Sequence, residues 1–381
     1  KALSSKGSNV TLPNSVRDQL HEYVTRIAAM YRENPFHNLE HASHVTMSAV
    51  KLMRRTINPD DIDRCASDDG GTTKKDRSCR KDSSRQEALE KNLYDSTFGI
   101  SSDPLTQFCI VFTALIHDVD HCGVPNAQLV KEQHEVAVKF GEKSAAEQHS
   151  VFVAWQLLME PRYAQLRSCI YATEKERQRF RQLVVNAVMA TDILDRELQC
   201  VRRNRWDKAF DKNGARREEE EEINNQDRNR RATSVIEHII QASDVAHTMQ
   251  HWHIFRRWNE RLFDEMYIAY KQGRTDKDPS IGWYEGQIGF FDNYIIPLAQ
   301  KLKDCGVFGV AGNEYLTYAL ENRREWEIKG REETEVMLVN FNLRYGFWSE
   351  SNNSDEQDDF FPGGDFGRRG NNSNITTTTH S

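Results

Sequence analysis

The chain has 381 residues, is 38% hydrophobic and 29% charged, and carries a formal net charge of −7. That is enough for one large domain or two small ones, and the mild acidity argues against a nucleic-acid or anionic-membrane surface, which needs a basic face. No apolar run reaches the roughly 18 residues of a membrane span. Seven dispersed cysteines without a C-x-x-C pair read as reduced thiols in a cytoplasmic compartment. The chain starts at Lys1 without a signal peptide, so the expectation is an excised catalytic domain of a longer signalling protein, one that a membrane tether elsewhere would suit.

Taken in order, Asn14 is a candidate helix cap, Val16, Leu20, Val24, Ile27 and Tyr31 follow at helical spacing, and Pro35 stops the run. His37, His41 and His44 then recur at spacings of four and three, one face of a helix if the segment is helical. Residues 58–102 are polar and aperiodic and read as a flexible insert, with a short helical piece around Leu89 to Leu93. The apolar run Phe108 to Leu115 reads as a buried helix and leads into Ile116-His117-Asp118-Val119-Asp120-His121. Helical periodicity continues over Ala127 to Phe140, Ala145 to Met159 and Phe180 to Leu198, the last with Thr191-Asp192 inside it.

Residues 202–231 are charge-rich and read as a second flexible insert. Val235 to Ala242 is an apolar helix ending in Ser243-Asp244, and Trp252 to Tyr270 is aromatic and amphipathic. Gln287-Ile288-Gly289-Phe290-Phe291 precedes a helix, Asp292 to Leu302, interrupted at Pro297, and Glu314 to Trp348 makes one or two long helices. From Ser351 the chain is Asn, Ser, Asp, Gly and Thr, a disordered tail. With helical periods almost throughout and no convincing alternating strand, the fold class is all-α: a compact multi-helix bundle over residues 1–350 with two inserts, followed by the tail.

His41, His117, Asp118 and Asp244 each sit at the edge of an apolar helix, in three distant segments. Imidazoles and carboxylates together suit Zn²⁺ and other divalent ions, and a bundle can bring such residues together at its core. The motifs His37-Asn38-x-x-His41-Ala42, His117-Asp118-Val119-Asp120-His121-x-Gly123, Ala190-Thr191-Asp192, Ser243-Asp244-Val245 and Gln287-Ile288-Gly289-Phe290 make the pattern specific. In this set and order the chain resembles the catalytic domain of class I 3′,5′-cyclic nucleotide phosphodiesterases, within the HD-type metal-dependent phosphohydrolase superfamily.

The resemblance implies hydrolysis of the 3′ phosphoester of cAMP or cGMP to the 5′ monophosphate. It implies that His41, His117, Asp118 and Asp244 hold a Zn²⁺, that Asp118 bridges to a Mg²⁺ or Mn²⁺, and that the two ions, roughly 3.5–4 Å apart, share the attacking hydroxide. His37 is then the general acid, one helical turn before His41. His121, Glu147 and Thr191 hydrogen-bond the waters of the second ion. Gln287 reads the purine edge, and Phe290 and Leu262 sandwich the ring. His44, His247, Ser150, Cys122 and Phe36 depart from common family residues, and none of them is an implied metal ligand. Two other readings compete: a related phosphohydrolase acting on nucleoside triphosphates, and an inactive domain that only senses a cyclic nucleotide.

Overall fold

The computed structural model describes residues 11–56, 91, 94–210, 225–308 and 312–346, and none of these residues forms a β-strand. The helices are α1 (Asn14–Ala29), α2 (Leu39–Arg54), α3 (Pro104–Ile116), α4 (Asn126–Lys131), α5 (Glu135–Phe140), α6 (Ala145–Met159), α7 (Ala164–Ile170), α8 (Glu174–Met189), α9 (Arg196–Phe210), α10 (Asn225–Asp244), α11 (Trp252–Lys271), α12 (Trp283–Phe290), α13 (Ile296–Asp304) and α14 (Gly312–Tyr345). The chain through Val339 is one unit; beyond it the described residues are the end of α14 and Gly346.

A helix that is apolar all round belongs where every side meets protein. α3 is such a helix: Cys109, Ile110, Phe112, Thr113, Ala114 and Ile116 are all buried. Asp103 starts it by accepting from the Leu105 amide at 3.2 Å, with Pro104 in the first turn where its missing N–H costs nothing. α3 packs against α2, α6, α8 and α10, and α2 and α10 also pack on each other. Beside it Phe112 lies 5.8 Å from Tyr23 and 5.4 Å from Phe180, ring centre to ring centre, and the Tyr23 hydroxyl donates to the Ala154 carbonyl at 2.9 Å. Each large side chain so buried contributes about 1.5–3 kcal/mol.

Several expectations shift. Pro13, not Asn14, precedes α1, and no side chain caps that end. Ala127 to Phe140 is two short helices, α4 and α5, and Phe180 to Leu198 is broken after Met189. The break is made by carboxylates: Asp192 Oδ1 accepts from the Leu194 and Asp195 amides, and Asp195 Oδ1 accepts from those of Glu197 and Leu198, starting α9. Thr191 and Asp192 therefore lie in a turn, not within a helix. At Pro297 the chain does not stop; a π-turn over Phe291–Ile295 joins α12 to α13. The wider turn accommodates a ring that would otherwise crowd the carbonyl four residues back.

The two expected inserts are narrower than 58–102 and 202–231. Thr97 and Ile100 are buried, so the packed chain resumes before Ser102, while residues 57–90 lie outside the described residues. Residues 202–210 belong to α9 and 225–231 to α10, leaving only 211–224 undescribed. The charge content misleads here because Trp206 packs on Phe210 and His238, with ring centres 4.3 and 4.5 Å apart, and Arg205 pairs with the buried Glu237. The expected tail, 351–381, also lies outside the described residues. Trp206→Ala should cost about 3–5 kcal/mol of stability, the usual range for truncating a buried Trp, read as a lowered denaturation midpoint; a midpoint unchanged from wild type would mean that α9 is not part of the packed bundle.

Candidate metal centre and active site

Three helices that pack on one another supply four ligand-type residues at one point. His41 is the third residue of α2, His117 and Asp118 follow directly on α3, and Asp244 ends α10. His41 Nε2 lies 3.1 Å from Asp244 Oδ1 and 3.5 Å from Asp118 Oδ2; His117 Nε2 lies 3.0 Å from Asp118 Oδ2 and 3.5 Å from Asp244 Oδ1. One ligand atom from each of the four falls within 4.8 Å of all the others. Asn38 caps α2 through the His41 amide at 3.1 Å, fixing where that helix begins.

The electrostatics call for a cation. Both carboxylates stand at helix C-termini, where the macrodipole is also negative, so the local backbone does nothing to neutralise them. Burial alone would favour their neutral forms, yet the facing imidazoles hold Asp118 and Asp244 well below the usual carboxylate range. Burial alone would likewise discharge His117, but Asp118 and Asp244 carry it well above an ordinary histidine. A proton is thus held where two anions meet, the place a metal ion would take. The donors fit such an ion. His117 Nδ1 faces the Ala114 carbonyl at 3.0 Å, so the neutral ring carries its hydrogen there. Its Nε2 is then a lone pair, buried, without a hydrogen-bond partner and turned toward the carboxylates.

His37 lies beside this cluster but not on α2. It precedes the Asn38 cap, so the expected helical turn between His37 and His41 is absent. Glu265 of α11 sets its place instead: Oε2 accepts from the Phe36 and His37 amides, each at 2.9 Å, and Oε1 pairs with His37 Nδ1. Burial would discharge the His37 ring, but Glu265 outweighs it and holds the imidazolium up to about 9. Burial pushes the Glu265 carboxyl up and His37 pulls it down further, to about 2. The His121 ring is 4.0 Å from that of His37, centre to centre, and burial followed by the His37 charge drives it down to about 4. Two adjacent imidazoles are thus split, one charged and one neutral at pH 7, the pattern of an assigned proton donor.

His37, His121 and Glu265 also gather ligand atoms within 4.8 Å. However, the Gly123 amide donates to His121 Nδ1 at 3.2 Å, which leaves the hydrogen on Nε2, so this group holds protons and not a cation. Glu147, on the first turn of α6, is bridged to Asp192 by Asn126 Nδ2, at 2.9 and 3.3 Å, and Ser144 donates to Asp192 at 2.7 Å. Burial, with the Asp192 and Asp118 charges, pushes the Glu147 carboxyl up to about 7. The Thr191 hydroxyl donates to the Val188 carbonyl at 2.8 Å.

Leu262 precedes Glu265 by one turn of α11, and α12 meets α11 through Phe263 and Trp283, ring centres 5.2 Å apart. Gln287 is buried on α12, and Phe290 stacks on Tyr294 at 5.5 Å and 15°. Sequence reasoning missed Glu265, Asn34, Asn126 and Tyr294. Only Glu265 carries a signal: it continues the apolar series Phe255, Trp258, Leu262 at helical spacing, a carboxylate on an apolar face.

A helical bundle centred on such a cluster is the architecture of the HD-type metal-dependent phosphohydrolases. Within that class the chain belongs to the 3′5′-cyclic nucleotide phosphodiesterase family, which it matches over residues 36–307. It is 25% identical over 227 residues to a probable 3′,5′-cyclic-AMP phosphodiesterase of Caenorhabditis elegans, covering 57% of this chain and 32% of that protein. It is 23% identical over 287 residues to a dual-specificity calcium/calmodulin-dependent 3′,5′-cyclic nucleotide phosphodiesterase of Mus musculus, covering 71% and 31%. The chain therefore spans about a third of the length of these curated relatives. The crystal structure of the phosphodiesterase domain of Salpingoeca rosetta rhodopsin phosphodiesterase matches with a TM-score of 0.57 at 19% identity, over 85% of this chain and 84% of that one.

In the metal-free protein, Glu265→Gln should lower the His37 pKa, since it removes the charge and leaves the burial. NMR titration of the His37 ring reads this, and a pKa still near 9 would mean that Glu265 does not charge the ring. The linked stability has a sign. The raised His37 pKa gives the wild type a contribution that is complete below about 6.5 and lost as pH rises through about 9. The depressed Glu265 pKa adds one that is complete above about 4.5 and lost as pH falls through about 2. Glu265→Gln should remove both.

Proposed function

We propose that this chain hydrolyses 3′,5′-cyclic nucleotides, cAMP and cGMP, to 5′ nucleoside monophosphates, and so ends a cyclic nucleotide signal. One observation carries the reading: His41, His117, Asp118 and Asp244 converge beside an imidazole, His37, that is paired with Glu265 and is not one of them. A divalent cation pocket next to a proton donor is what an anionic diester with an alkoxide leaving group requires.

His41, His117, Asp118 and Asp244 would hold Zn²⁺, and Asp118 would also face Mg²⁺ or Mn²⁺, with His121, Glu147 and Thr191 around the waters of that second ion. Divalent ions bound there lower the pKa of water at the site and neutralise the phosphodiester charge. The oxygen of water, giving up one proton to solvent, forms a bond to phosphorus as the bond from phosphorus to the ribose O3′ breaks. His37 gives its proton to O3′ in that step. Glu265 holds Nδ1 of the ring, which leaves Nε2 as the nitrogen that serves the substrate. The catalytic domain lies within residues 1–350, in a cytoplasmic setting and as part of a larger signalling chain. The dispersed free thiols support that setting, and no described helix is long and apolar enough to cross a membrane.

Leu262 and Phe290 would take the purine between them, with Gln287 at its edge. Selectivity then turns on whether the Gln287 amide can rotate. Among the described residues no side chain hydrogen-bonds it: the Tyr284 hydroxyl donates to the Glu327 carbonyl at 3.1 Å, and Trp283 Nε1 has no partner. A free amide can meet the donor and acceptor of adenine or the opposite order on guanine. Both cyclic nucleotides should therefore be hydrolysed with kcat/KM within about 100-fold of each other, under roughly 2.7 kcal/mol. A ratio beyond a thousand would mean that the amide is pinned.

Asp118→Ala should abolish hydrolysis and lower bound metal together, measured by turnover and by elemental analysis of the same sample. Chelator should do the same to the wild type, reversed by added Zn²⁺ and Mg²⁺. A folded Asp118→Ala protein with normal turnover would overturn the site, and tight cyclic nucleotide binding without turnover in added metal would favour a sensor.

A further inference from the structure

One carboxamide ties together the two loops that carry His37 and His121. Asn34 lies in the link between α1 and α2. Its Nδ2 donates one hydrogen to the His37 carbonyl at 2.9 Å and the other to the His121 carbonyl at 2.8 Å. Exchanging nitrogen and oxygen would turn an acceptor onto two carbonyls, so the network fixes the amide's orientation. The Asn34 carbonyl accepts from Asn38 Nδ2 at 2.7 Å, and Asn38 in turn caps α2 at His41. A Cβ at Gly123, where φ is +69°, would come within 3.2 Å of Asn34 Oδ1, so the His121 loop approaches too closely for a side chain there.

We infer that Asn34 is a positioning residue for proton delivery: by joining the carbonyls of His37 and His121 it sets the His37 imidazole relative to the metal cluster. The inference rests on the reading of His37 as the general acid. Glu265 fixes the His37 ring and the two amides around it, but among the described residues its hydrogen bonds go to Phe36 and His37, so it does not tie that loop to the His121 loop. Asn34 bonds both. Without it, the His37 loop is free to slide against the residues after α3, which include Asp118, and a displacement of about 1 Å at a reacting group can cost on the order of 10²-fold in rate.

The test uses two esters. A cyclic nucleotide leaves through an alkoxide that needs a proton; bis(4-nitrophenyl) phosphate leaves through a phenolate that does not. Asn34→Ala should lower kcat on the cyclic nucleotide by about 10–100-fold, with KM little changed, bound metal at the wild-type level and the nitrophenyl ester hydrolysed nearly as before. Asn34→Asp keeps the volume but turns an oxygen onto both carbonyls, so its selective loss should be at least as large. Equal loss on both esters, loss of metal, or failure of both variants to fold would overturn the inference and make Asn34 a structural residue only. His37→Ala, run beside them, separates the two claims. If it slows both esters equally, the acid assignment fails and the inference falls with it. If it is selective and Asn34→Ala is not, the inference alone falls.

Discussion

Two carboxylates, Asp118 and Asp244, are largely shielded from water, with 13% and 19% of their side chains exposed, at the meeting point of α2, α3 and α10, and the need to compensate their charge governs what surrounds them. An uncompensated buried carboxylate costs several kcal/mol, and here the helix C-termini on which both stand add to that cost. Two imidazoles repay part of it. The remainder is a standing demand for positive charge, which the metal-free protein meets with a proton on His117 and a divalent ion meets better. The mostly apolar α3 makes the demand sharp, because it brings His117 and Asp118 to the bundle centre with no charged residue on its own length.

Around that point the protein separates cation chemistry from proton chemistry. The His117 ring is set by the Ala114 carbonyl to offer a lone pair inward, whereas the His121 ring is set by the Gly123 amide to offer a hydrogen. The same side chain type thus does opposite work according to one backbone contact. His37 and His121 are then divided by their surroundings, Glu265 charging the first and that charge discharging the second. Asn126 also bridges Glu147 and Asp192, and burial with the Asp192 and Asp118 charges raises the Glu147 carboxyl to about 7, a crowding of acidic groups that a cation relieves and an anion worsens. The phosphodiester reading follows from having both kinds of site within one small volume.

Helical periodicity alone determined the fold class and most of the elements, because an amphipathic stripe or an apolar run such as Phe108 to Leu115 is a property of neighbours in sequence. It failed where polar side chains decide the backbone. Asp192 and Asp195 break what reads as one helix, Asn38 starts α2 after His37, and α9 is helical despite its charges because Trp206 finds His238 across the fold. The spacing of H…HD…D nominated the ligand types, since those residues each end or begin an apolar helix. The sequence by itself therefore determined that this is an all-α member of the cyclic nucleotide phosphodiesterase family with His and Asp at helix edges. Only the tertiary structure decided that Glu265, 228 residues from His37, charges it, and that Asn34, 87 residues from His121, holds the two loops together. Those pairings lie between residues far apart in the chain, where hydrogen-bond distance is set by packing and no local pattern carries it.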